Sequence, residues 1–159
     1  HAFAPLCAGG PVLRAARARL LDRVRALGFR PRTLTGISLL IEGKPMLRLP
    51  GPAARPRFAL PGRHGGRAII RSARFIPAEF EADSADERPL GIALSAVAVG
   101  GEEMPLDRLI AGGFYPRAAY DAARWTDGAG ELRIEAGACS LTLHVAALPR
   151  VWEKPAAPA

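Results

Sequence analysis

The sequence predicts an all-β fold: an antiparallel, jelly-roll-like β-sandwich with one amphipathic α-helix at its N-terminal end. Three observations predict it. Short runs of branched and aromatic residues recur between Gly and Pro punctuation at roughly 8–12-residue spacing, and about eight or nine such runs can be counted. The one clear helical period precedes the first strand, which argues against a doubly wound parallel sheet. The length of 159 residues suits one domain, and a hydrophobic share of 49% allows a real core. Much of that share is alanine, so the core must rest on Leu, Ile, Val, Phe and Trp.

The helix is expected first, after an irregular start with Pro5 and Gly9-Gly10. Pro11 suits a first helical turn, and Gly28 suits the left-handed position after a last one. Between them Leu13, Ala16, Leu20, Val24 and Leu27 recur at helical steps and form one stripe. Arg14, Arg17, Arg19, Arg23 and Arg25 surround that stripe. They read as a solvated face whose stems pack beside the core, with a surface for nucleic acid or anionic lipid as the alternative. Residues 1–33 are therefore expected as a segment and helix packed on the domain, 34–148 as the sandwich and 149–159 as a flexible tail.

Strand-like periods follow. Ile37 to Glu42 and Lys44 to Leu49 flank Gly43 as a tight hairpin. Arg57 to Leu60 is a short strand, and Arg67 to Phe75 a central one. Gly91 to Val99 alternates, with Gly100-Gly101 as its turn. Met104 to Leu106 reads as an edge strand and Asp107 to Ile110 as one helical turn. Gly112 to Pro116 reads as a loop. Arg124 to Gly128 is expected as a strand end running into an Asp-Gly turn. Glu131 to Glu135 and Ser140 to Ala147 are the last strands, and the Pro- and Ala-rich end reads as frayed.

Between the strands ending at Phe75 and beginning at Leu90 lies an acidic loop bounded by Pro77 and Pro89. It carries Glu79, Glu81, Asp83, Asp86 and Glu87, with Arg88 as its cation. The net charge is nonetheless +7, and twenty of the twenty-two cations are arginine. Arginine bias with abundant Ala, Gly and Pro explains that balance without a nucleic-acid partner, and none is expected. No apolar run reaches the roughly 20 residues of a membrane span. The start at His1 shows no basic-then-apolar leader and reads as that of a fragment or processed chain. Cys7 and Cys139 lack metal-ligand spacing and read as two unrelated small apolar residues, with a disulfide as the alternative. His64, in a Gly-rich turn without a second His or Cys, reads as solvated.

Two motifs then meet: Phe75-Ile-Pro-Ala-Glu with Asp86-Glu-Arg-Pro-Leu-Gly-Ile-Ala-Leu, and Gly113-Phe-Tyr with Arg124-Trp-Thr-Asp-Gly. Together they resemble a β-sandwich module of bacterial proteins, found C-terminal to a Hint (hedgehog/intein-type) domain. A similar module accompanies glycosyltransferases that build surface polysaccharide. The opening Ala4-Pro5-Leu6 and Gly10-Pro11 before an Arg-rich helix is similar to the segment that follows the Hint domain. The resemblance covers most of residues 1–148. It implies a sandwich fold and an accessory role beside neighbouring domains of one polypeptide, in an extracellular setting if the Hint context holds. The processing nucleophile and histidines of a Hint domain have no counterpart here.

The candidate ligand-binding residues are Trp125, Arg124, Asp127, Tyr115, Glu79, Asp86 and Arg88. A Trp at a strand end beside Arg and Asp suits stacking on a sugar, or plugging the end of the sandwich. Asp86 and Arg88, two apart in an extended loop, suit a planar clamp; alternatively, Asp86 with Glu79 or Asp83 suits the binding of a sugar hydroxyl or Ca²⁺. No metal or cofactor is expected, since the loop lacks the spacing of a calcium motif. Catalysis is not expected either. A glycan-active hydrolase needs paired carboxylates across a cleft. Ser140, His144 and Asp127 lack a nucleophile elbow. The expected function is a non-catalytic accessory module that binds carbohydrate or docks on neighbouring domains.

Overall fold

The computed structural model describes residues 9–62 and 65–156. In chain order these form α1 (Gly10–Ala26), β1 (Arg30–Thr33), β2 (Ile37–Ile41), β3 (Lys44–Pro45), β4 (Arg48–Leu49), β5 (Arg57–Ala59) and β6 (Gly66–Ser72). A 3-10 turn at Pro77–Glu79 precedes β7 (Ala93–Val99) and β8 (Glu102–Met104). Then come α2 (Leu106–Leu109), β9 (Ile110–Phe114), β10 (Arg124–Ile134), β11 (Ser140–Ala147) and β12 (Arg150–Glu153). His1, Ala4 to Leu6, Cys7 and His64 lie outside the described residues.

Ten strands form one antiparallel sheet in the order β3-β2-β6-β10-β7-β11-β5-β4, with β8 added to β7 and β9 to β10. The sheet curls until its two ends meet on one stretch of chain. Met46 N–H donates to Leu39 O on β2 at 2.7 Å, while Ala59 N–H of β5 donates to Leu47 O at 2.9 Å. Residues 44–49 thus bond to both ends of the sheet, which spares most of the backbone groups that an open edge would expose. The β2–β3 turn has positive φ at Glu42 (51°) and Gly43 (74°), the backbone that a two-residue hairpin of this twist demands.

Alternation builds the interior. Ile37, Leu39 and Ile41 of β2, Ala68 and Ile70 of β6, Leu132 and Ile134 of β10, and Leu141 and Leu143 of β11 all point inward. Leu94 and Val97 of β7 join them, and a register shift between His144 and Val145 accounts for the break in β7's alternation. Leu106 and Leu109 of α2 close one end.

Five expectations need correction. Residues 150–153 are not a frayed tail: β12 pairs with β1 from Arg30↔Glu153 to Thr33↔Arg150, tying the chain's two ends together. Gly112 to Phe114 are strand rather than loop. Arg124 to Ile134 is one unbroken strand, so Asp127-Gly128 bends it instead of turning it back. The helix stripe is also rotated from the expected one. Leu21 is the buried residue of α1, while Leu20 and Leu27 are 63% and 54% exposed. Cys139, expected as a small apolar residue, is exposed.

Candidate functional site

The two motifs converge at one end of the sheet. β10 pairs with β7 through Arg124 and Trp125, then with β6 from Ala129 to Ile134. The change of partner happens at Thr126–Gly128. Thr126 is buried, and its Oγ1 both accepts from Ile92 N–H (3.1 Å) and donates to Ile92 O (3.2 Å). Asp127 Oδ1 accepts from Ala129 N–H at 2.9 Å, an Asx turn that supports the bend. Gly91 crosses so closely that a Cβ there would sit 2.4 Å from Thr126 Oγ1 and 2.7 Å from Gly128 N. Gly128 has φ +97°, and a Cβ on it would strike the Arg74 side chain. Three segments therefore cross at glycine-limited distance. That crossing sets where Phe75, Leu90 and Trp125 emerge.

An aromatic cluster is built on it. Phe75 bridges Leu90 through paired backbone bonds of 2.8 Å. Its ring meets Phe80 edge-on at 5.8 Å and Trp125 at 5.7 Å. Phe80 stacks on Trp152 of β12 at 5.2 Å, nearly parallel. The Trp152 indole N–H donates to Glu79 O at 3.0 Å. Arg150 lies over both Phe75 and Phe80, at 5.2 and 5.0 Å, and pairs with Glu81 at 2.8 Å. Planar guanidinium on aromatic faces is a favourable contact that leaves its edge free for acceptors.

Beside this cluster runs an open groove of about 420 Å³. Phe75, Leu90 and Trp125 form its apolar side, and Glu81, Ser84, Asp86 and Arg150 its polar side. Asp86 is held by Arg88 in a planar fork: Nε to Oδ1 at 2.9 Å and Nη2 to Oδ2 at 2.7 Å, with Arg88 N–H adding a third bond to Oδ1. The bond from Arg88 holds the Asp86 carboxyl below the usual carboxylate range, against the opposing effect of its burial. Arg88 in turn covers the Tyr115 ring at 4.8 Å, and Tyr115 O–H donates to Pro89 O at 3.0 Å.

The seven sequence candidates thus separate. Trp125 and Asp86 line the groove together, and Arg88 and Tyr115 brace Asp86 from behind. Arg124 donates to Tyr115 O at 3.1 Å and to Asp107 Oδ1 at 2.9 Å, which lowers the Asp107 pKa with help from Arg117. Asp127 serves the bend. Glu79 faces a different groove, between α1 and Trp152. Sequence reasoning missed Phe75, Glu81 and Arg150 as groove residues. Arg150 sits in a Pro- and Ala-rich segment with no period to mark it. Phe75 reads simply as the end of a strand.

Asp86, with its carboxyl held below the usual range by Arg88, is an anion at neutral pH, and Glu81 pairs with Arg150. Ser140 and His144 lie about 13 Å apart along β11, and His144 approaches Glu103 at 3.9 Å instead. Among the described residues no three His, Cys, Asp or Glu side chains are grouped to hold a metal, and no helix is long and apolar enough to cross a membrane. No protein-family model, curated protein or solved structure matches the chain.

Proposed function

We propose that the chain is a non-catalytic accessory module that binds carbohydrate in the Trp125 groove. One observation carries the reading: Trp125 and Asp86, far apart in sequence, line the same open depression. An aromatic wall with a few fixed carboxylates and a guanidinium suits a sugar, whose C–H face stacks while its hydroxyls donate and accept. On this reading the curled sheet is a flattened, jelly-roll-like sandwich whose layers exchange β10 at Thr126–Gly128, with the groove at that corner. The parent would be a larger bacterial polypeptide of the Hint type, as the paired motifs imply.

Glycan-array screening followed by calorimetry tests the reading. Hits are expected with the intact chain and are lost in Trp125→Ala. Because Trp125 also packs on Phe75, the second variant is Glu81→Gln, which leaves the aromatic cluster in place. It should weaken binding on the order of tenfold, the worth of one charge-assisted hydrogen bond. An intact chain with no glycan hits, or hits indifferent to both changes, overturns the proposal.

A further inference from the structure

The outer face of α1 leaves large apolar side chains exposed. At 3.6 residues per turn, Val12, Ala16, Leu20 and Leu27 fall within an arc of about 80°, and Leu21, which faces the domain, lies about 140° round from its centre. Val12, Leu20 and Leu27 are 64%, 63% and 54% exposed. The strip runs about 22 Å along the helix. Arginine falls inside and beside it. Arg14, Arg17 and Arg25 find carboxylates at Asp83, Glu87 and Asp22, whereas Arg19 and Arg23 form no ion pair among the described residues.

We infer that α1 is an interfacial helix that docks this protein on an anionic lipid surface. The charge is complementary: the chain carries +7, and two unpaired guanidinium groups lie on the same face as the exposed leucines. Positive side chains reach the headgroups while the apolar side chains sink into the acyl boundary. A nucleic acid would satisfy the arginines but offers nothing to bury Val12, Leu20 and Leu27 against. A flat bilayer can take all three at once, because they lie along one strip of a helix whose buried residue, Leu21, faces away from it. The groove beside Trp125 takes no part, so this inference stands apart from the glycan reading.

Co-sedimentation with vesicles of phosphatidylcholine alone, or mixed with phosphatidylglycerol, tests it. Binding is expected to the mixed vesicles, to weaken as salt is raised, and to be slight on the neutral ones. Arg19→Gln with Arg23→Gln should weaken it on the order of thirtyfold, from about 1 kcal/mol per basic residue near the surface. Leu20→Gln with Leu27→Gln should weaken it on the order of tenfold or more. Both pairs are exposed, and unchanged circular dichroism confirms that the fold survives. No binding to anionic vesicles, equal binding to neutral ones, binding that survives both double variants, or retention by an oligonucleotide in place of vesicles would each overturn it.

Discussion

The aliphatic interior and the aromatic cluster at the end of the sheet are both hydrophobic, yet they hold the chain differently. The interior is drawn from alternate residues of six strands. Leu39, Leu94, Val97, Leu132, Leu141 and Leu143 reach 0% exposure. It contains no charge, and its geometry follows mainly from strand pairing, with Leu106 and Leu109 of α2 added at one end. The cluster draws Phe75, Phe80, Leu90, Trp125 and Trp152 from separate segments, and Arg150 and Glu81 sit against it. No two of its members come from the same strand. The difference teaches that burial fixes the fold in the first region, while in the second Phe75 and Phe80 are buried but Trp125 and Trp152 stay partly exposed beside polar partners.

The comparison breaks if the interior does not dominate stability. Leu143→Ala removes a fully buried side chain from β11, and a loss of about 2–5 kcal/mol is expected. Urea unfolding measures it, and a loss comparable to that of a surface change would contradict the account. The cluster should yield less. Trp152→Ala removes a half-open ring, its stack on Phe80 and its bond to Glu79 O; about 1–2 kcal/mol is expected from the stacking and hydrogen-bond terms. Hydrogen exchange sharpens the contrast: amides of β1 and β12 should lose protection in this variant while those of β11 keep theirs.

The smallest effect concerns the Asp86–Arg88 fork. A carboxyl whose pKa is depressed on folding binds fewer protons folded than unfolded. Its contribution is therefore complete above the unfolded value of about 3.9 and disappears as pH falls through the lower folded value. Asp86 is 27% exposed, so solvent screening holds the contribution to about 0.2–1 kcal/mol. Thermal melting from pH 5 downward should show an acid-side loss that is smaller in Asp86→Asn. An identical acid limb in both proteins would show that the fork contributes nothing.

Much of the fold was readable because strand patterning is local. The Ile37, Leu39, Ile41 alternation, the Glu42-Gly43 turn and the Ser140–Ala147 run each carry their own period. The helix was readable too, from Pro11 to Gly28, but its orientation was not. Leu20 and Leu21 are adjacent, and only packing against the rest of the chain decides which turns inward. For the site, Trp125, Asp86 and the Arg88 clamp could be singled out from residue type and spacing. Phe75, Glu81 and Arg150 could not, since nothing local marks them as sharing a depression.

The order of residues alone determined that this chain makes short strands punctuated by Gly and Pro, preceded by one arginine-rich helix, because dihedral preference and hydrophobic period act over a few neighbours. Three things were left to tertiary structure: the bonding of residues 44–49 to both ends of the sheet, the pairing of β12 with β1, and the meeting of Trp125 with Asp86. Each joins segments distant in sequence. Such contacts form where backbone groups must find partners and side chains must fill space, and those requirements exist only once the whole chain has collapsed.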